Sequence, residues 1–378
     1  MYLNLNEDQS MMVEQMSEFA KGRLAPMVDK WKNQEETSAE GLQAIAEQGL
    51  LGCCIPEEDG GAGLDPFTLC HSIRAIAHVD ASLATLVAIT NGFVAEYLIR
   101  FDQSPERSAR LESIMTGESI TAWLAPTTSS KTPFPNLTAE RTEQGWKLNG
   151  EVQHVTQGIT AHHFLAFAQT PSGEQQAFWL DASASEIERQ VVRGKLGLRH
   201  TDVAHVRIHG LDVPTSAMLH PKSFADENLN TVWSTGRTAL AAVCLGTAES
   251  SLREAKQYAQ QRKQFGKPIA AFQAIQWKVA DAGMATETSK LFLDRATYCW
   301  SQNDLHELNR WSFMAFSKAS QTAVDSGAEA IQIHGGYGFT REYPVEKLYR
   351  DAQTLRARWH NEAASQQIVA EPGWHSAI

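Results

Sequence analysis

The hydrophobic period of this chain changes twice, from helix-like to strand-like and back, and that double change limits the possible folds most tightly. The stretch "NLTAERTEQGWKLNGEVQHV" (136–155) alternates in the manner of half-buried strands. It carries turn signals at Gln144-Gly145 and at Asn149-Gly150, the latter a strong hairpin dipeptide. "HFLAFAQT", "QAFWLDA" and "HVRIHGLDVP" read as further strands, the last stopped by Pro214. Upstream, a turn is expected at Gly60, Gly61 and Gly63, and "HSIRAIAHVDASLATLVAITNGFVAEYLI" then has the length and composition of a helix. Downstream, three apolar patterns follow at helical steps: Leu240, Val243, Thr247, Leu252 and Ala255; Ile275, Val279, Ala282 and Leu291; Trp311, Met314, Ala315, Ala319 and Ala323. The chain reads as α+β, with an N-terminal helical domain (1–118), a central β domain (119–222) and a C-terminal helical bundle (223–378).

A formal net charge of -11 disfavours nucleic acid, whose phosphates are met by Lys and Arg. No run approaches the roughly 18 consecutive apolar residues of a membrane span. The start, "MYLNLNEDQSMMVEQM", lacks the basic and apolar regions of a secretory signal. The five cysteines have no zinc-like spacing, so no metal site is expected, and free buried thiols in a cytoplasmic protein are.

Two stretches carry more than packing. "RKQFGKPIAAFQ" (262–273) joins two helices: Gly266 reads as a C-cap and Pro268 as a stop, which leaves Phe265 and Gln273 without a reason. In "QIHGGYGFTREYPVEKLYRDA" (332–352), Gly335-Gly336 permits a tight turn or a close backbone approach, and His334 reads as packed or exposed. Pro344 places the next helix start near Val345.

Together these stretches resemble the C-terminal half of the acyl-CoA dehydrogenase family. "GLLGCCIPEEDGGAGLD" (49–65) is similar to its N-terminal signature, and "LGLRHTDVAHVRIHGLDVP" (196–214) to the end of its β domain. The resemblance implies a β-barrel or sandwich between an N-terminal helical domain and a C-terminal four-helix bundle. It also implies a homodimer or homotetramer binding FAD, with an acyl thioester on CoA or acyl-carrier protein as substrate and a separate electron acceptor. In the family a glutamate removes the α-proton while the flavin accepts the β-hydride. Arg262, Phe265 and Gln273, with Gln332, Gly335 and Gly336, match family residues that reach the ADP part of a neighbouring subunit's FAD.

The residues a subunit supplies to its own flavin match less well. "LAPTTSSK" (124–131) keeps Pro126 and Ser130 of the family's loop but loses its acids and glycines. "HVTQG" (154–158) keeps Thr156 and Gly158, with His154 where the family's flavin-packing tryptophan stands. Counting from Tyr349–Ala352, the family's glutamate falls on Trp359, and the alternative base position, next to the substrate-side Arg237, is Gly236. The family's nearby aspartate is Ser234. Glu362 is a candidate for a relocated base, one helical turn beyond Trp359, and His360 a weaker one. Three readings follow: a dehydrogenase of the CH–CH bond of an acyl thioester with an atypical base; a non-catalytic subunit donating its half of an FAD site to a catalytic paralogue in a heterotetramer; and a flavin oxidase or monooxygenase on the same fold.

Overall fold

The computed structural model describes residues 5–31, 34–125, 136–219 and 226–359. Seven α-helices come first: α1 (Glu7–Phe19), α2 (Ala25–Trp31), α3 (Ala39–Glu47), α4 (Pro66–Ala77), α5 (Ala81–Ile89), α6 (Glu96–Phe101) and α7 (Arg107–Met115). Then come seven strands: β1 (Thr121–Leu124), β2 (Asn136–Arg141), β3 (Gly145–Thr156), β4 (His163–Gln169), β5 (Gln175–Asp181), β6 (Ile187–Val191) and β7 (Val203–Pro214). The long helix α8 (Asp226–Gln261) leads through a short ribbon, β8 (Lys263–Gln264) and β9 (Lys267–Pro268), to α9 (Gln273–Ser301), α10 (Leu305–His334) and α11 (Val345–Trp359).

Four local expectations need correcting. The long helix read upstream of the β region is broken at Asp80, whose carboxylate accepts the Leu83 N–H at 2.9 Å and caps a new helix, α5. Asn149-Gly150 is not a turn but lies inside β3, which pairs with β2 on one side and β7 on the other. A register shift at Leu148/Asn149 absorbs the dipeptide as a bulge, and the hairpin turns instead at Thr142–Gly145. Gly266 is not a C-cap: α8 has ended at Gln261, and Phe265 (φ +50°) and Gly266 (φ +80°) form the ribbon's tip. Leu291 leaves the apolar face of α9 and points outward, 51% exposed.

The strands make one mixed sheet in the order β1-β4-β2-β3-β7-β6, with β5 on β4. A single pair, Thr138 with Gln169, joins its two halves, so the sheet folds over itself as a sandwich. The β1/β4/β5 half is buried on both faces. Phe164, Ala166 and Ala168 alternate inward to the β core, while Leu165 and Phe167 point with Trp123 into the helical core. The helix Ala81–Phe101, continuous through a π-helical segment at Thr90–Ala95, has mean hydropathy 1.5, and 89% of its most apolar window is buried here. Its length and composition alone would pass for a membrane span, but its burial inside the molecule is that of a core helix.

Two buried charge networks tie the layers together. Asp80 meets His200 Nδ1 at 2.7 Å and Lys347 Nζ at 3.0 Å; Lys347 also meets Asp351 at 2.7 Å, and Asp351 accepts the Leu198 N–H. Burial opposes the Lys347 charge, but the two carboxylates outweigh it and hold the ammonium well above its usual range. In the second network Glu249 of α8 binds Arg74 and His78 of α4, while His71 Nε2 lies 3.8 Å from Asp294 of α9.

Asp294 gives a pH prediction. Burial raises its carboxyl above the usual aspartate range, to about 6. A raised folded-state value contributes stability below the unfolded value, and that contribution is lost as pH rises through about 6. Asp294→Asn should therefore stabilise the protein at about pH 8, on the order of 2 kcal/mol, and the gain should vanish towards about pH 4. Urea melts of both proteins across that range are the check.

Candidate active site and cofactor face

The two positions where the resemblance implies a base lie against one phenylalanine ring. Trp359, the last residue of α11, is buried, and its indole lies 5.8 Å from Phe93, centroid to centroid. On the other side, a Cβ added to Gly236 of α8 would fall 2.1 Å from Cε2 of the same Phe93 ring. Phe93 also packs on Trp123 at 5.2 Å and edge-on to Trp233 at 5.3 Å. Four large aromatic side chains, from the π-helical segment, β1, α8 and α11, thus fill the space between both positions. Phe93, which both positions meet, carries no signal of its own in the sequence. The backbone is close enough for this only because Gly92 faces Gly236: a Cβ on Gly92 would sit 2.8 Å from the Gly236 Cα.

Neither of these two positions holds a carboxylate. Arg237 is buried with one guanidinium nitrogen on Ser312 Oγ at 2.7 Å and its plane over Phe313 at 3.4 Å. It makes no ion pair among the described residues, and burial pulls it down to about 9. Ser234 turns its hydroxyl back to the Asn230 carbonyl. Glu362, His360, Pro126 and Ser130 lie outside the described residues.

A separate cleft of about 460 Å³ lies between the β domain and α11, lined by His154, Lys195, Leu196, Leu198, Gln353 and Arg358 among others. His154 takes φ +57° and meets His205 edge-on at 4.8 Å. Its carbonyl accepts from the Arg358 guanidinium. Burial, then the neighbouring His205 and Arg358, lower the His154 imidazole below its usual range. Thr156 is buried two residues on, its Oγ1 without a partner.

The face that carries Arg262 and the Gly335-Gly336 pair is open. Arg262, Gly335 and Gly336 line a second cavity, about 480 Å³, with Tyr258, His334 and Tyr337. No atom lies within 4 Å of a Cβ placed on either glycine, so backbone there is free to be approached. Phe265 sits at the ribbon tip with its ring 92% exposed, an edge-on 6.2 Å from Phe272, which directly precedes Gln273. Gln332 is exposed one turn before Gly335 but does not line the cavity. His334 is packed, stacked on Tyr258 at 4.2 Å with Nδ1 on the Ala330 carbonyl.

These residues fit the ADP end of FAD: a guanidinium for pyrophosphate, exposed amides, and glycine backbone without obstruction. On the chain's own side, the unpartnered Thr156 hydroxyl and the open cleft also leave a place for a flavin.

A family model described as "Acyl-CoA dehydrogenase, C-terminal domain" matches residues 229–358, and "Acyl-CoA dehydrogenase, N-terminal domain" matches 6–118. The chain is 28% identical to an acyl-CoA dehydrogenase of Bacillus subtilis over 94% of both chains. It is 25% identical to the short-chain specific acyl-CoA dehydrogenase of Clostridium acetobutylicum, over 93% of this chain and 94% of that one. The solved butyryl-CoA dehydrogenase of Megasphaera elsdenii superposes with a TM-score of 0.92 at 25% identity, over 98% of each chain.

The Phe93–Gly236 contact is testable. Gly236→Ala should cost roughly 1–3 kcal/mol or more through overpacking, and Phe93→Leu in the same chain should recover most of that loss. A double-mutant cycle on thermal melts reads the coupling; additive losses would show that the two positions do not meet.

Proposed function

The chain belongs to the acyl-CoA dehydrogenase family, and from that premise we propose that it serves acyl-thioester dehydrogenation as a donor subunit. It supplies Arg262, Phe265, Gln273, Gln332, Gly335 and Gly336 to the FAD of a catalytic family member. The observation that carries this is the aromatic cluster of Phe93, Trp123, Trp233 and Trp359 at both base positions. An acyl Cα cannot occupy that volume, and no carboxylate from those positions is there to take its proton. Bound FAD supplies hydride acceptance; the protein's part is to orient the acyl thioester, exclude water and hold a base. This chain retains the means to grip FAD from outside and gives up the base.

A second reading is favoured by the cleft beside His154 and the unpartnered Thr156 hydroxyl. In it the chain holds its own flavin and oxidises a substrate, with Glu362 as base for a thioester or with other flavin chemistry. The thiolester carrier, chain length and electron acceptor are not needed to separate the two.

The chain purified alone should leave FAD unbleached by butyryl-CoA, at a rate at least about 100-fold below that of a co-purified assembly with a glutamate-bearing family member. Within that assembly, Arg262→Ala should weaken FAD retention on gel filtration. Bleaching by the chain alone, abolished in Glu362→Gln, would overturn the donor reading in favour of a relocated base.

A further inference from the structure

The donor reading makes no use of Arg237, yet a lone guanidinium is among the costliest groups to bury. Its side chain is 8% exposed, and no carboxylate pairs with it among the described residues. Taking a charge out of water is unfavourable unless a counter-charge or hydrogen bonds replace the water. Here the protein supplies one hydrogen bond, from a terminal nitrogen to Ser312 Oγ at 2.7 Å, and the face of Phe313 at 3.4 Å. The Ser312 hydroxyl gives its own proton to the Asn309 carbonyl. The other guanidinium N–H groups have no partner among the described residues, and they are not among the polar atoms sealed inside the protein. They face a space that a ligand can enter.

What surrounds that space is rich in donors. Ser234, one turn before Arg237 on α8, gives its hydroxyl to the Asn230 carbonyl at 2.7 Å and meets Asn309 Oδ1 at 3.2 Å. That contact uses the accepting end of the Asn309 amide and leaves its Nδ2 hydrogens without an acceptor among the described residues. Trp233, four residues before Arg237 and so beside it on the helix, buries its indole N–H without a partner. Guanidinium, amide and indole N–H groups all donate and none can accept, so what completes them is an acceptor of negative charge.

Charge balance chooses among the anions. A monoanion beside Arg237 makes a neutral pair, whereas a phosphate is close to dianionic at neutral pH and would leave a buried charge unpaired. The planar guanidinium presents parallel N–H groups, which match the two oxygens of a carboxylate and not a spherical halide.

We propose that the space between α8 and α10 at Arg237 binds the carboxylate of a small organic acid, gripped by the guanidinium with the Asn309 amide beside it. The site stands apart from the donor reading. Arg237 turns towards α10, its neighbour Gly236 turns towards Phe93, and the ribbon and the Gly335-Gly336 pair lie on other elements. FAD retention and butyryl-CoA bleaching therefore do not report on it.

The test is equilibrium dialysis of the full-length chain against carbon-14-labelled butyrate in chloride-free buffer. One butyrate should bind per chain, displaced by acetate but not by chloride or phosphate at equal ionic strength. Arg237→Met puts an unbranched apolar chain where the unpaired charge lies, so it should fold at least as stably and bind butyrate at least about tenfold more weakly. Asn309→Leu, which leaves Arg237 in place, should weaken binding about threefold or more, a readout that holds even if Arg237→Met folds poorly. In thermal melts, butyrate should raise the midpoint of the wild-type chain and leave that of Arg237→Met unmoved. The proposal is overturned if neither butyrate nor acetate binds saturably, if chloride displaces butyrate as readily as acetate does, or if either variant binds as tightly as wild type.

Discussion

The buried contact of Asp80 with Lys347 fixes the arrangement on which the rest of the molecule depends. Asp80 begins α5, Lys347 and Asp351 lie on the first turns of α11, and His200 and Leu198 belong to the segment before β7. Neither carboxylate can be buried without its partners, since an unpaired charge in the interior costs several kcal/mol. The three parts of the chain can therefore come together in one way only. That way sets the rotation of α11. With Asp351 turned inward, Leu355 and Trp359, four and eight residues on, face inward as well, and Trp359 arrives against Phe93.

Once α11 is placed, the chemistry at its end is a matter of volume. A carboxylate there would need space for a substrate carbon and a dielectric that tolerates its charge. A buried indole packed on the Phe93 ring offers neither, and gains burial instead. Gly236 reaches the same end from the opposite side, because its missing Cβ makes room for the Phe93 ring and for nothing larger. The two positions thus meet at one ring, although they stand more than a hundred residues apart in the chain. The face carrying Arg262, Phe265 and the two glycines is on other elements, the ribbon and the end of α10, and none of that packing constrains it.

The order of helices, strands and helices was legible because apolar period depends on local exposure, which the residues carry themselves. The frame of Tyr349–Ala352 located Trp359 for the same reason: α11 is regular and Pro344 marks its start. Phe93 was not legible. It lies in a π-helical segment, where the extra residue per turn rotates side chains away from any 3.6-residue pattern. Asn149-Gly150 misled because a dipeptide suited to a turn is equally suited to a bulge, and only pairing on both sides of β3 decides between them. Leu291 counted as core because its period fits α9, yet α9 has two apolar faces, and sequence alone cannot say that only one is covered within the chain.

That second face bears on what the outside of this scaffold serves. A protein whose chemistry happened only in its own interior would have no use for an exposed phenylalanine at a ribbon tip or for an apolar seam along a neighbouring helix. Both are costly in isolation, since exposed apolar surface favours unwanted association. Each becomes favourable when a second chain covers it. The features of this molecule that make least sense in a monomer, the Phe265 ring, the bare Gly335-Gly336 backbone and the α9 stripe of Trp277, Met284, Leu291 and Tyr298, are all on the outside. Selection acting on the surface of an assembly yields that distribution.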